Sequence, residues 1–348
     1  MFAFISVLCP NRQVTSWEGS VGGPAATAEG DFVGPVTSRE GLDQAAGAAA
    51  PASGITVAAE VSLAVAAKAS AENFPVALRV LPKRWRAHLT ALYGFARLTD
   101  DIGDEPLPGI PRDATEAEVT AIRLRLLDEL ELDVRRIYDQ GAPEPELKAI
   151  RALKSTVKAC QVPAQPLYDL IQANRQDQLV TRYASYQELA DYCVLSANPV
   201  GQVVLHIMDA ATPERIAASD SICTALQVIE HCQDVAEDFG NGRIYLPRED
   251  MDAFGVTEAD LARPAAGQRV QDLVKFEADR ADTLLADGAP LVGTLHGMSR
   301  LAIAGYVAGG RAALKAVRGS GYDVLRATPK PGKADTLALM ASCYIKGR

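Results

Sequence analysis

Proline and glycine cut this chain into pieces of helical length, and that punctuation constrains its fold more than any other feature of the sequence. From about Val57 onward the breaks fall at Pro75, Pro82, Pro106 to Gly109, Gly141 to Pro145, Pro163 to Pro166, Pro199, Pro213, Pro247, Pro290 and Gly319 to Gly321. Proline lacks a backbone donor and disfavours helix at the residue before it, so each such site starts or ends a helix. Between the breaks apolar residues recur at the helical period, and the strict alternation of a half-buried strand is rare. The expectation is one all-α domain over residues 56–348 with almost no strand, large enough to bury a core wide enough to hold a cavity. Residues 1–55 differ: they are rich in Gly, Ala, Ser, Thr and Pro, hold Arg12 and Arg39 as their basic residues, and show no sustained apolar period. They are predicted to form a disordered N-terminal extension.

Charge and cysteine usage exclude several classes of function. The formal net charge is −9, and no basic stretch exceeds Lys83-Arg84-Trp85-Arg86. Nucleic acid is therefore not expected as a partner, because binding its backbone needs a basic face. An anionic substrate would need metal ions as intermediaries. Cys9, Cys160, Cys193, Cys223, Cys232 and Cys343 form no CxxC pair, which reads as reduced, mostly buried thiols and a cytoplasmic location. Met1 to Leu8 is apolar but lacks a basic n-region and a small-residue cleavage site, so no signal peptide is expected. No run approaches the roughly 18–20 apolar residues that span a bilayer, so the chain is soluble or at most peripheral to a membrane. His88, His206, His231 and His296 lack metal-ligand spacing and read as packing or surface residues; no GxGxxG follows a strand, so no nucleotide cofactor is expected.

Two segments carry acidic stripes. Within His88 to Glu105, Tyr93, Arg97, Asp100 and Asp104 stack on one helix face, with Asp101 at its edge. Alone, such a face could be solvated, with Arg97 pairing internally. Within Ser221 to Phe239, however, Gln227, Glu230, Asp234 and Asp238 repeat the pattern beside apolar Ile222, Leu226, Ile229 and Val235. Carboxylates clustered in a dry cavity repel one another, so a facing pair of stripes needs cations, and hard oxygen donors suit Mg²⁺. Bound Mg²⁺ could hold a diphosphate. Gly240 to Pro247 then forms a turn that brings Arg243, whose guanidinium fork fits phosphate oxygens, close to the end of the second stripe.

At these residues the chain resembles the squalene/phytoene synthase family, from about residue 70 to 335. The matching stretches are Glu72-Asn-Phe-Pro, Leu81-Pro82, Tyr93 to Glu105, Tyr192-Cys193 with Ala197 and Val200-Gly201, Gln233 to Asp238, Gly242 to Pro247, and Tyr322-Asp-Val-Leu. Within the family, Glu72 to Ala77, Ser196 to Gly201 and the Gln-Asp-Val form of the second motif are most similar to the hydroxysqualene synthase subgroup. The resemblance implies a single-domain, all-α isoprenoid (terpenoid) synthase fold with a central cavity and a Mg²⁺ site that grips diphosphate. It implies Asp100, Asp101, Asp104, Asp234 and Asp238 as metal ligands, with Glu230 where many relatives carry asparagine. Tyr93, Arg97, Arg243 and Tyr245 match positions that hold the diphosphate, and Asp177 and Tyr192 match residues of the reaction centre. The implied reaction converts presqualene diphosphate and water to hydroxysqualene and diphosphate in squalene and hopanoid biosynthesis. The alternatives are a reductive squalene synthase, a phytoene synthase, or a non-catalytic helical assembly protein; oligomeric state is left open. Asn198 could position a water at the Asn198-Pro199 break, which can otherwise be read simply as a helix stop.

If residues 1–55 are dispensable, a chain starting near Gly54 should keep its thermal midpoint and its activity. Loss of either would mean that the segment docks on the helical core.

Overall fold

The computed structural model describes residues 81–107, 110 and 113–348. The expected extension over 1–55, the helix start near Val57, Pro75 and the Glu72 motif lie outside the described residues. Fourteen helices follow among those described: α1 (Lys83–Asp104), α2 (Glu116–Tyr138), α3 (Lys148–Cys160), α4 (Gln165–Asp177), α5 (Tyr186–Ser196), α6 (Asn198–Ile207), α7 (Pro213–Gln233), α8 (Val235–Gly240), α9 (Arg248–Phe254), α10 (Glu258–Leu261), α11 (Gln268–Gly288), α12 (Leu291–Thr294), α13 (Gly297–Gly319) and α14 (Lys333–Lys346). No strand occurs among the described residues, and the one isolated β-bridge is a parallel pairing of Arg182 with Ile244.

The proline breaks are helix boundaries for identifiable reasons. Pro82 and Pro247 stand at the N-caps of α1 and α9, and Pro213 opens α7, where a missing N–H removes no helical bond. Thr212 caps α7 by accepting from the Arg215 N–H, and Thr115 with Glu118 forms a reciprocal capping box at α2. At Pro199 the chain stops α5 and restarts as α6 after a single residue, Ala197.

Packing places the two acidic segments on different walls. α1 lies against α2, α3 and α4; α7 lies against α11, α13 and α6; and α6 touches α1, α4 and α7. Leu89, Leu92, Phe95 and Leu98 of α1 join one buried cluster with Leu226 and Ile229 of α7. Burying each such side chain stabilises the fold by about 1.5–3 kcal/mol. No helix among the described residues is long and apolar enough to cross a membrane.

The α7–α11 seam requires a glycine. A Cβ at Gly288 would stand 2.6 Å from the Ala218 carbonyl oxygen and 2.7 Å from Ile222 Cγ1. The first neighbour is backbone and cannot rotate away, so the helices themselves would have to part. Gly288→Ala is therefore expected to destabilise by about 1–3 kcal/mol. In thermal unfolding followed by circular dichroism this corresponds to a midpoint lowered by roughly 3–10 °C; an unchanged midpoint would show that the seam yields freely.

Candidate active site

From Phe95 to Gly103 every residue of α1 is buried, so the polar groups among them must find partners inside the protein, whereas Asp104 at the end of the helix is exposed. Arg97 Nε pairs with Asp101 Oδ1 at 2.7 Å, one helical turn apart, and both side chains are only 6% exposed. A second arginine nitrogen, Nη2, reaches Glu105 at 3.4 Å. Arg97 thus turns to Asp101 and Glu105, while Asp100 points elsewhere: its Oδ1 accepts from Asn174 Nδ2 of α4 at 3.4 Å. Gly103 lets α4 come this close, since a Cβ there would lie 2.7 Å from Asn174 Oδ1. Burial pushes the Asp100 carboxyl up to about 8, and the nearby Asp104 adds to the rise. Tyr93 lies one turn before Arg97 and is half-buried.

The second stripe is bent. α7 ends at Gln233 and α8 begins at Val235, with Asp234 between them at φ −103° and ψ 16°. The sequence pattern reads as one helix, but the structure kinks it at the residue expected to bind metal. The helical ladder nevertheless continues, because the Asp234 N–H reaches the Glu230 carbonyl at 2.9 Å and the Asp238 N–H reaches that of Asp234 at 2.8 Å. Glu230, Asp234 and Asp238 therefore stay on one stripe. Asp238 is pushed up to about 8, first by burial and then by Asp234, Glu230 and Glu237.

Arg243 joins the two walls. Its backbone N–H donates to the Asp238 carbonyl at 2.9 Å, and its guanidinium Nη2 donates to Asp104 Oδ1 at 3.0 Å and to the Asp177 carbonyl at 3.4 Å. The loop that carries it is stitched to the α4–α5 connection: the Ile244 N–H reaches Thr181 O and the Arg248 N–H reaches Tyr183 O, each at 2.9 Å. Asp177 and Tyr192 meet through Tyr192 Oη, which donates to Asp177 Oδ2 at 2.8 Å. The Asp177 carboxyl is raised to about 6 by burial, against the pull of Arg243.

Tyr192 and Tyr245 belong to an aromatic cluster with Tyr183 and His231. The His231 ring lies flat on Tyr245 with centroids 3.8 Å apart and planes inclined by 11°, and Tyr183 stacks on Tyr245 at 5.7 Å. Burial pushes His231 well below the usual histidine range, so the ring is neutral; it bonds Gln227 Nε2 at 3.2 Å, and its Nδ1 stands 4.0 Å from Asp238. Sequence reasoning places His231 among packing or surface residues. It is indeed packed, but inside the site. Spacing does signal it, since His231 follows Gln227 by one turn on the acidic stripe of α7. Asn174 and Tyr183 carry no local signal, because their partners lie far away in the chain.

The donor atoms available to a metal are carboxylate oxygens of Asp100, Asp104, Glu230, Asp234 and Asp238, hard ligands that suit Mg²⁺. Asp100 is buried, Glu230, Asp234 and Asp238 are half-buried and Asp104 is exposed, so their clustered negative charge is what a divalent cation would offset, and the residues fit the ion. Among the described residues no three His, Cys, Asp or Glu side chains converge as a ready-made metal cage. The carboxylates instead approach Arg243 from two sides, with Asp101 held by Arg97.

An all-helical bundle with two acidic segments meeting over an arginine and a buried tyrosine cluster is the isoprenoid synthase fold. The squalene/phytoene synthase family model matches residues 67–335. The chain belongs to that family. It is 35% identical over 224 residues to hydroxysqualene synthase of Sinorhizobium fredii, covering 64% of this chain and 70% of the relative. It is also 30% identical over 228 residues to phytoene synthase of Mycobacterium bovis, covering 65% and 70%. The crystal structure of squalene synthase HpnC from Alicyclobacillus acidocaldarius superposes with a TM-score of 0.65 at 35% identity, covering 76% of this chain and 95% of that one.

The Asp238 carboxyl has a testable linkage. Unfolded, it releases its proton near its ordinary 3.8; folded, it holds it to about 8. Between these values the folded state binds more protons, so this group costs stability progressively as pH rises. Asp238→Asn removes the titration. In metal-free urea unfolding the variant is expected to gain on the parent steadily from about pH 4 to pH 8. A difference that stays constant with pH would contradict the assigned environment.

Proposed function

We propose that this chain ionises a prenyl diphosphate with the help of Mg²⁺ held by Asp100, Asp104, Glu230, Asp234 and Asp238, and that it converts presqualene diphosphate and water to hydroxysqualene and diphosphate. The observation that carries this reading is Arg243 between the two acidic walls, a fixed cation where a polyanionic leaving group would sit. Mg²⁺, when bound, would supply Lewis-acid charge that stabilises the departing diphosphate. Arg243 adds a preorganised fork of donors, and its attachment to the Asp238 backbone costs little reorganisation when charge develops. Tyr245, Tyr183 and Tyr192 present aromatic faces, whose negative quadrupole favours a cation that forms beside them. Tyr192 is fixed by its bond to Asp177, so its ring does not have to be ordered during the reaction. The apolar surroundings keep bulk water from the cation.

Similarity to hydroxysqualene synthases supports water as the nucleophile, and the Ser196 to Gly201 segment supports the same subgroup. Similarity to phytoene synthases keeps a second reading open, in which two prenyl diphosphates condense head to head. The two differ in substrate and product. Presqualene diphosphate incubated with the enzyme and Mg²⁺ in ¹⁸O-water, without NADPH, is expected to give a labelled C30 alcohol. Squalene formed only with NADPH, or phytoene from geranylgeranyl diphosphate, would move the assignment to the corresponding alternative.

Asp100→Asn and Asp234→Asn are each expected to lower kcat by roughly two to four orders of magnitude while the fold persists. Glu230→Asn should shift the Mg²⁺ concentration needed for half-maximal rate. Full activity in either folded aspartate variant, measured as diphosphate release, would contradict the metal assignment.

A further inference from the structure

Rearrangement of the carbocation leaves one question of chemistry: where the capturing water waits without hydrolysing the substrate early. Among the buried polar groups away from the acidic walls, Asp133, Thr156, Asp250 and Glu277 are scattered over other helices, whereas Ser196 and Asn198 stand two residues apart where α5 meets α6. On α7, Thr224, Gln227, His231 and Asp234 fall within one stripe at helical spacing, so the stripe that bears the carboxylates continues towards the start of the helix as neutral polar side chains. At its N-terminal end Thr224 Oγ1 donates to Asn198 Oδ1 at 3.0 Å. Asn198 is 4% exposed, and this bond engages its amide oxygen rather than its amide nitrogen. Ser196, two residues earlier, is 3% exposed, and its Oγ has no hydrogen-bond partner. A buried hydroxyl without a partner is uncommon in a folded protein and calls for a reason.

The backbone at this point adds a third polar group. Pro199 has no N–H, so the bond that a continuous helix would close on the Leu195 carbonyl cannot form. Ser196 stands one turn, about 6 Å, beyond Tyr192 on the same face of α5. That face is the one whose tyrosine reaches Asp177 and packs near Tyr245. These polar groups thus lie within four consecutive residues where α5 meets α6, one turn beyond Tyr192. A buried water needs two to four such partners.

We infer that Ser196 and Asn198 form the cradle of the single water that captures the carbocation. This inference rests on the hydration reading proposed above. The C–O bond to diphosphate breaks first. An oxygen lone pair of the cradled water then forms the new C–O bond, and the proton it sheds passes to a diphosphate oxygen, so no oxidant or reductant is needed. Accepting from the Asn198 amide and donating to Ser196 Oγ leaves the water a lone pair for attack. Without the water the same cation ends by losing a proton to diphosphate, which yields a C30 hydrocarbon.

The ratio of C30 alcohol to C30 hydrocarbon from presqualene diphosphate reads the cradle directly. Ser196→Ala and Asn198→Leu are each expected to lower that ratio about tenfold or more, the effect of losing one hydrogen bond of about 1.4 kcal/mol from a competing transition state. Ser196→Thr, which keeps the hydroxyl, should retain the alcohol. If Asn198→Leu does not fold, Ser196→Ala carries the test alone, since it removes a group that makes no protein bond. An unchanged ratio in folded Ser196→Ala overturns the cradle. Absence of alcohol from the parent enzyme overturns the hydration reading instead, so the two failures are distinct.

Discussion

Carboxylates buried near one another set the terms for this structure. Taking a charged carboxylate out of water is costly, and a second one nearby raises the cost. Asp100 and Asp238 register both effects, each held up at about 8. The protein offsets part of this burden with the Arg243 guanidinium, which binds Asp104 and whose charge pulls against the rise at Asp238 and Asp177. Asp101 is offset separately by Arg97. The remaining negative charge on the two walls is what the proposed divalent cation would offset.

The rest of the fold serves to hold those walls at a fixed separation. α6 touches both α1 and α7, and the Pro199 break lets it start immediately after α5 while keeping Gly201 close to α7, where a Cβ would meet Ser219 Oγ and Cys223 Sγ at 2.5 Å. The Arg243 loop gains its position from the backbone bonds at Thr181 and Tyr183 rather than from a helix of its own. A similar brace lies further out. Arg280 binds both Asp250 and the buried Glu277 and lies 3.9 Å over the Tyr186 ring, tying α9 and α11 to the start of α5. Breaking a buried pair of this kind costs about 3–5 kcal/mol.

Much of this was legible in the sequence because it is local. Proline positions marked helix boundaries, and spacings of three and four put Asp100 with Asp104 and Asp234 with Asp238 on their stripes. Three features were not legible. The kink at Asp234 leaves the spacing intact, so periodicity cannot register it. The Arg97–Asp101 and Arg97–Glu105 pairs compete with other partners available at helical distance, and only packing decides among them. The contacts of Asn174 with Asp100 and of Tyr183 with Tyr245 join segments far apart in the chain and leave no periodic trace, and the stacking of His231 on Tyr245 is set by how the Arg243 loop folds back on α7. The resemblance to the squalene/phytoene synthases supplied what spacing could not: that the two stripes belong to one site.

The central proposal is that the acidic walls grip an anion chiefly through metal, with Arg243 as a secondary contact. Calorimetric titration with inorganic diphosphate, before and after chelation of Mg²⁺, tests it without depending on which lipid is the substrate. The account expects saturable binding with Mg²⁺, loss of that binding on chelation, and loss again in Asp100→Asn and Asp234→Asn. Diphosphate binding of equal strength in the chelated protein would contradict it.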